Sequence, residues 1–239
     1  MSVFAISDLH LSTHDATTKS MEVFGGRWEN YIERIEKNWR RLICAEDTVV
    51  IPGDVSWALS LDEALSDLKF IDSLPGHKIL GKGNHDFWWT SMKKHAEFFE
   101  KHGIKTISFL FNNAHRAGDI IIAGTRGWYY DEDASNIPSG TDFDKLAARE
   151  SGRLRASLEA AEKLRNGDDL ETVVFMHFPP FWNETEAKDT FDILEQYGVK
   201  RLYFGHIHGN YSIPSVTYHR GIEMRLISAD FTEFIPKIV

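Results

Sequence analysis

Five short apolar runs in this chain end in the same way, and that repetition limits the fold more than any other feature. "SVFAIS" runs into Asp8-Leu9-His10, "TVVIP" into Gly53-Asp54, and "HKIL" into Gly83-Asn84-His85-Asp86. Further on, "TVVFM" stops at His177 and "RLYF" at Gly205-His206-Ile207-His208. Runs this short and this evenly apolar are expected of strands covered on both faces. Segments of helical period lie between them. Trp28, Ile32, Ile35, Trp39 and Leu42 recur on one helical face. Ser60 and Glu63 form a capping box that opens a helix with a stripe of Leu61, Leu65, Leu68 and Ile71. Met92, Ala96 and Phe99 mark a helix stopped at Gly103. Two more helices are expected over residues 141–166 and about 186–197, the second closed by Gly198. "KTISFL" and "DIIIAGT" read as further strands. Such alternation implies an α/β fold. The tail "SVTYHRGIEMRLIS" has no helical period and a turn near Arg220-Gly221, which predicts a second sheet packed on the first.

No repeat, low-complexity stretch or Pro/Ser-rich linker divides the 239 residues, so one domain over 1–239 is expected. The net charge of −9 argues against a nucleic-acid backbone or an anionic membrane as main partner, although nucleic acid stays possible. A metal centre could still reverse the sign locally for an anionic substrate. Cys44 is the only cysteine, which excludes an intrachain disulfide and a zinc–thiolate cluster. In "WRRLICA" it reads as a buried apolar residue. The start "MSVFAISDLHL" lacks a basic segment and a long apolar core, and no run reaches membrane-spanning length. A cytoplasmic location is the expectation.

Taken singly, the run ends have ordinary readings. Asp8 or Asp54 could form a turn, His177 could be a bonded core histidine, and "GNHD" could be a turn plus a helix cap. Together they place a carboxylate, amide or imidazole at the C-terminal end of five strands, the edge where open α/β sheets bind ligands. Oxygen and imidazole donors suit hard to borderline divalent metals, and there are enough for two ions. His10 and His208 can serve one ion, and His177 and His206 the other. Asp54 can bridge them, with Asp8 and the Asn84 carbonyl oxygen completing the sets. The absence of thiolate disfavours copper(I) and iron–sulfur clusters. Arg126, after an apolar strand, reads either as a phosphate clamp or as a salt-bridge partner. Aromatic residues near the motifs, Trp88, Trp89, Trp128, Tyr129, Tyr130, Phe178, Phe181 and Trp182, are packing or part of a wall beside the site.

In combination and order, Asp8-x-His10, Gly53-Asp54, Gly83-Asn84-His85-Asp86, His177 and Gly205-His206-x-His208 resemble the five-motif signature of the calcineurin-like metallophosphoesterases. The resemblance spans residues 8–208 and implies a four-layer α/β/β/α sandwich of two mixed sheets. It also implies a dinuclear centre of divalent ions (manganese, iron or zinc), with Asp8, His10, Asp54 and His208 on one ion. Asp54, Asn84, His177 and His206 would hold the other, and His85 would take part in the chemistry. Two such ions can share a hydroxide that attacks phosphorus while His85 protonates the leaving oxygen. Asp86 would either orient His85 or cap the next helix. One departure is informative: the protein serine/threonine phosphatase branch continues its second motif as Gly-Asp-x-Val-Asp-Arg-Gly. "GDVSWAL" puts Ser56 and Trp57 where that Asp-Arg pair would stand, so protein phosphatase activity is not expected. The expected function is a phosphoesterase acting on a small phosphodiester. A phosphomonoesterase, a nuclease, or a non-catalytic metal-binding scaffold of the same fold is the alternative.

Overall fold

The computed structural model describes residues 1–14, 20–128 and 142–239. Thirteen strands and five α-helices follow one another along them. β1 (Val3–Ala5), α1 (Tyr31–Leu42), β2 (Thr48–Ile51), α2 (Leu65–Ser73), β3 (His77–Leu80), α3 (Met92–His102) and β4 (Ile107–Phe109) make up the first half. After them come β5 (His115–Ala117), β6 (Ile120–Thr125), α4 (Phe143–Arg165), β7 (Glu171–Met176), β8 (Phe181–Trp182) and β9 (Thr185–Glu186). The chain continues with α5 (Lys188–Gln196), β10 (Arg201–Phe204), β11 (Val216–His219), β12 (Ile222–Leu226) and β13 (Lys237–Ile238).

One sheet has the order β13-β1-β2-β3-β4, parallel throughout except for β13. The other has the order β11-β12-β10-β7-β6-β5, parallel at its centre with antiparallel edges at β11 and β5. Side chains alternate across each strand. In β2, Val50 points between the sheets while Val49 and Ile51 join the helical side. In β7, Val173 and Phe175 point inward while Val174 and Met176 meet α4 and α5. Three apolar cores result: one under α1 to α3, one between the sheets, and one under α4 and α5. The fold is therefore a mixed α/β sandwich of the metallophosphoesterase type, in four layers. A strand with a core on each face has no solvent side, which is why these runs read as continuous apolar stretches.

Several local expectations need correction. Cys44 is exposed, because α1 ends at Leu42 and the thiol lies in the turn before β2. The capping box forms, with Ser60 Oγ accepting the Glu63 N–H at 3.3 Å and Glu63 accepting the Leu59 N–H at 2.9 Å. It closes a turn rather than the helix, which starts at Leu65. Residues 185–186 pair with β8, so α5 begins at Lys188. Ala96 faces solvent, whereas His95 is buried with Phe98 and Phe99. α4 is capped by Asp142, and the expected start at Thr141 lies outside the described residues, as do Tyr129 and Tyr130. The β-rich tail does contribute to a second sheet packed on the first, as expected, but not alone. β11 and β12 extend the one already holding β7 and β10, and β13 returns to β1.

Candidate metal centre

The five motifs sit on two sheets, not one. β1, β2 and β3 deliver Asp8, His10, Asp54, Asn84, His85 and Asp86 from one side, and β7 and β10 deliver His177, His206 and His208 from the other. Their C-terminal ends meet. Four of the nine, Asp8, His10, Asp54 and His206, have φ between 45° and 70°, left-handed backbone that costs each non-glycine residue about 1–2 kcal/mol. Such strain is held where the surroundings over-determine it. Two glycines allow the closeness: a Cβ on Gly83 would stand 2.0 Å from Asp54 Oδ1, and one on Gly205 would stand 2.2 Å from Asp8 Oδ2.

The donors converge. His208 Nε2 lies 3.1 Å from Asp8 Oδ1 and 3.2 Å from His10 Nε2. His177 Nε2 is 3.4 Å from Asp54 Oδ2, and His10 Nε2 is 3.7 Å from the same oxygen. Asn84 Oδ1 lies 2.7 Å from His177 Nε2 and 3.1 Å from His206 Nδ1. Asp8, His10 and His208, and likewise Asp8, Asp54 and His177, present donor atoms within 4.8 Å of one another. Asp8 is common to both groups, and Asp54 of the second also brings Oδ2 to 3.7 Å from His10 of the first.

The surroundings fit divalent cations. Burial, then the nearby Asp8 and Asp86 carboxylates, push the Asp54 carboxyl well above its ordinary range. Burial drives His10 and His177 well below theirs and His206 to about 4, so these rings are neutral, the form that binds metal. The buried Nδ1 atoms of His10 and His177 have no hydrogen-bond partner. His208 differs. Burial opposes its charge, but Asp8 and Asp230 overcome that and raise it to about 10. Burial would also raise Asp8, yet His208, His177 and His10 hold it below the usual carboxylate range. A crowd of carboxylates and imidazole lone pairs about one centre is an arrangement a cation would relieve.

Around this centre the remaining motif residues have distinct positions. His85 is half-buried at the rim, its ring 5.6 Å from that of His10, and its backbone N–H donates to Asp54 Oδ1 at 2.8 Å. Asp86 is fully buried. Its carboxylate accepts the N–H groups of Asp54, Val55, Ser56 and Gly83 and the Trp88 indole N–H at 2.8–3.3 Å. Asp86 thus ties the second motif to the third and supports the site from behind. The helix cap expected of it is Ser91 instead. Arg126 stands at the end of β6, where its carbonyl accepts the Phe178 N–H at 2.9 Å. Its guanidinium lies over Trp128 and 3.6 Å from buried Glu150. Trp88 and Trp128 are buried, and Phe178 packs 4.3 Å from His206.

Two contributors escaped the sequence reading. Asp230, fully buried, accepts from His208 Nδ1 at 2.9 Å, from the Gly209 N–H at 3.0 Å and from the Tyr211 hydroxyl at 3.0 Å. A carboxylate on Nδ1 fixes the ring so that Nε2 faces the centre. The signal was present: the strand ending in Leu226 lies beside β10, and Ile227-Ser228-Ala229-Asp230 follow it. Trp57, from the departure in the second motif, stacks on His10 at 4.7 Å and lies 4.5 Å from His85.

Comparison with known proteins agrees with this geometry. Residues 1–210 match the model of the calcineurin-like phosphoesterases, and the chain belongs to that family. It is a metal-dependent phosphohydrolase. No curated protein sequence matches it. Among solved structures, a phosphopantetheinyl hydrolase from Mycobacterium tuberculosis is similar at 17% identity and a TM-score of 0.61, covering 100% of this chain and 95% of that one. A protein of unknown function from Aquifex aeolicus is similar at 16% identity, TM-score 0.51, over 99% and 95% of the two chains. TT1561 of Thermus thermophilus is similar at 10% identity, TM-score 0.54, over 99% and 97%. At these identities the likeness is one of fold. No helix among the described residues is long and apolar enough to cross a membrane.

Proposed function

We propose that the chain hydrolyses a phosphodiester at a dinuclear centre. Asp8, His10, Asp54 and His208 would hold one divalent ion, and Asp54, Asn84, His177 and His206 the other. The observation that carries this reading is the convergence of seven oxygen and imidazole donors from both sheets, with Asp54 Oδ2 3.7 Å from His10 and 3.4 Å from His177. When bound, divalent ions supply Lewis acidity at the phosphoryl oxygens and a water nucleophile near neutral pH. The chain's own residues do the rest. The Asp54 carboxylate accepts the His85 backbone N–H, which fixes the third motif relative to the centre. The His85 ring, outside the ligand set but at its rim, donates a proton to the leaving oxygen. Asp230 orients His208, and Asp86 holds the loops that carry Asp54 and Asn84. Arg126, paired with Glu150, makes no substrate contact in this scheme.

Diester against monoester is decided by turnover on bis(p-nitrophenyl) phosphate and p-nitrophenyl phosphate with manganese, iron(II) or zinc added. The diester should be preferred by at least tenfold in kcat/KM, and the opposite preference would replace the diester reading with a phosphomonoesterase. A panel of cyclic nucleotides, single-stranded DNA and a phosphopantetheinyl ester, the last suggested by the activity in the name of the mycobacterial neighbour, then narrows the class. Two bound ions without turnover on any ester would favour the scaffold.

A further inference from the structure

A cavity of about 490 Å³ opens directly off the candidate metal centre, within the range of small-ligand pockets. Its floor is made of centre residues, His10, His85 and His208. Its walls are Met21, Phe24, Trp28 and Trp57. Trp57 is held there by its stack on His10, and Trp28 by edge contacts with His10 and Tyr31. Arg27, the arginine among the described lining residues, is already engaged. Arg27 donates to the Asp230 carbonyl at 3.0 Å, lies over the Tyr211 ring at 3.9 Å and faces Glu233 at 3.8 Å. Beyond the floor, then, the side chains that meet a ligand are mostly aromatic and thioether. The apolar character continues outward: Phe24, in the lining, is 73% exposed. Large apolar side chains left in water beside a site are a cost that a ligand's own apolar surface would remove.

Resting on the metal-centre reading, we infer that this cavity receives an apolar group esterified to the phosphate, an alkyl chain of several carbons or an aromatic ring. A phosphorus at the floor, beside His10 and His208, puts that ester arm between Met21, Phe24, Trp28 and Trp57. His85, in the same floor, then stands beside the ester oxygen that joins the two parts.

Alkylphosphonates test this without turnover, because their carbon–phosphorus bond is not an ester. Binding of methyl-, butyl-, hexyl- and octylphosphonate is measured by calorimetry on manganese-loaded and on metal-stripped protein. With manganese, each methylene that enters the cavity should tighten binding by about three- to fourfold until the chain fills it. Phe24→Ser and Met21→Ser should each lower the octyl-to-methyl affinity ratio by about fivefold or more. Phe24 is exposed, so Phe24→Ser removes wall without removing core. Metal-dependent binding that is flat with chain length overturns the cavity's role and leaves the metal centre standing. A steep series unchanged in both variants also overturns it, by placing the chain elsewhere. Methylphosphonate that binds equally with and without metal overturns the metal-centre reading instead, while a chain-length slope on stripped protein still supports the cavity.

Discussion

At the scale of single residues, chemistry and support are separable. His85 is at the rim and half-buried, with its ring outside the donor set. General acid catalysis contributes about a hundred- to ten-thousand-fold, and its value grows as the leaving group worsens. His85→Ala should therefore retain both ions by metal analysis and lose about that factor on alkyl diesters. On nitrophenyl diesters, whose leaving group hardly needs a proton, it should lose far less. Equal losses would make His85 a stabiliser of phosphoryl charge, and loss of metal would make it a ligand. Asp86 predicts a different signature. Its oxygens accept five N–H groups in a fully buried place, and Asn would turn an –NH₂ toward some of them. Asp86→Asn should lower the stability of metal-free protein by about 3 kcal/mol in urea denaturation. A variant as stable as wild type would show that this bonding is not what holds the two motifs together.

Elements were legible in the sequence to the extent that their boundaries carried local chemistry. Gly103 closes α3 at φ 71°, so the end of that helix followed from its cap, whereas its start, capped by Ser91 accepting the Lys94 N–H, did not. The long strands β2, β3, β7 and β10 followed from their apolar runs. Division of those strands into two sheets did not, because a strand buried on both faces has no polar side to reveal its neighbours. The short pair β8–β9 and the edge strand β5 were missed because two or three residues hold no period. At the site, every residue with a side-chain donor in a motif was legible, whereas Asp230 acts through His208 and lies outside the motifs. Within α3, His95 shows how an element constrains a titration. Its ring lies 4.4 Å from that of Phe109, its Nε2 accepts the Thr90 N–H, and burial, assisted by Lys82, lowers its pKa to about 4. An unfolded histidine titrates near 6.5. The folded chain holds the neutral ring, so this contribution is complete above about pH 6.5 and is lost as pH falls toward 4. His95→Gln, which keeps an acceptor for Thr90 and does not titrate, should lose about 2 kcal/mol less stability than wild type between pH 7 and pH 4. Parallel pH profiles by thermal or urea denaturation would remove His95 as the cause.

For the whole molecule, the centre is a junction between the sheets. Protein contacts already join the two halves there: the Asp8 carboxylate accepts the His206 N–H at 3.0 Å, and Ser7 N–H donates to the Ile227 carbonyl at 2.8 Å. The apolar layer between the sheets, from Val50 to Phe175, joins them further along the strands. Ions are thus not needed for the fold to exist, and removing them should not unfold it. They should still stabilise it, because a ligand that binds only the folded chain adds about 2.7 kcal/mol at a concentration a hundredfold above its Kd. For a chain of this size, each kcal/mol moves Tm by about 2–4 °C, so chelating two such ions should lower Tm by about 10–20 °C. The location of the effect is the sharper test. The ligands of each proposed ion come from both sheets, so amide exchange on chelation should quicken together after β1, β2, β3, β7 and β10. The far edges, β5 and β11, should change little. Quickening confined to the loops of one sheet would mean that the ions do not span the junction. An unchanged Tm, with metal analysis confirming their removal, would mean that they add nothing to it.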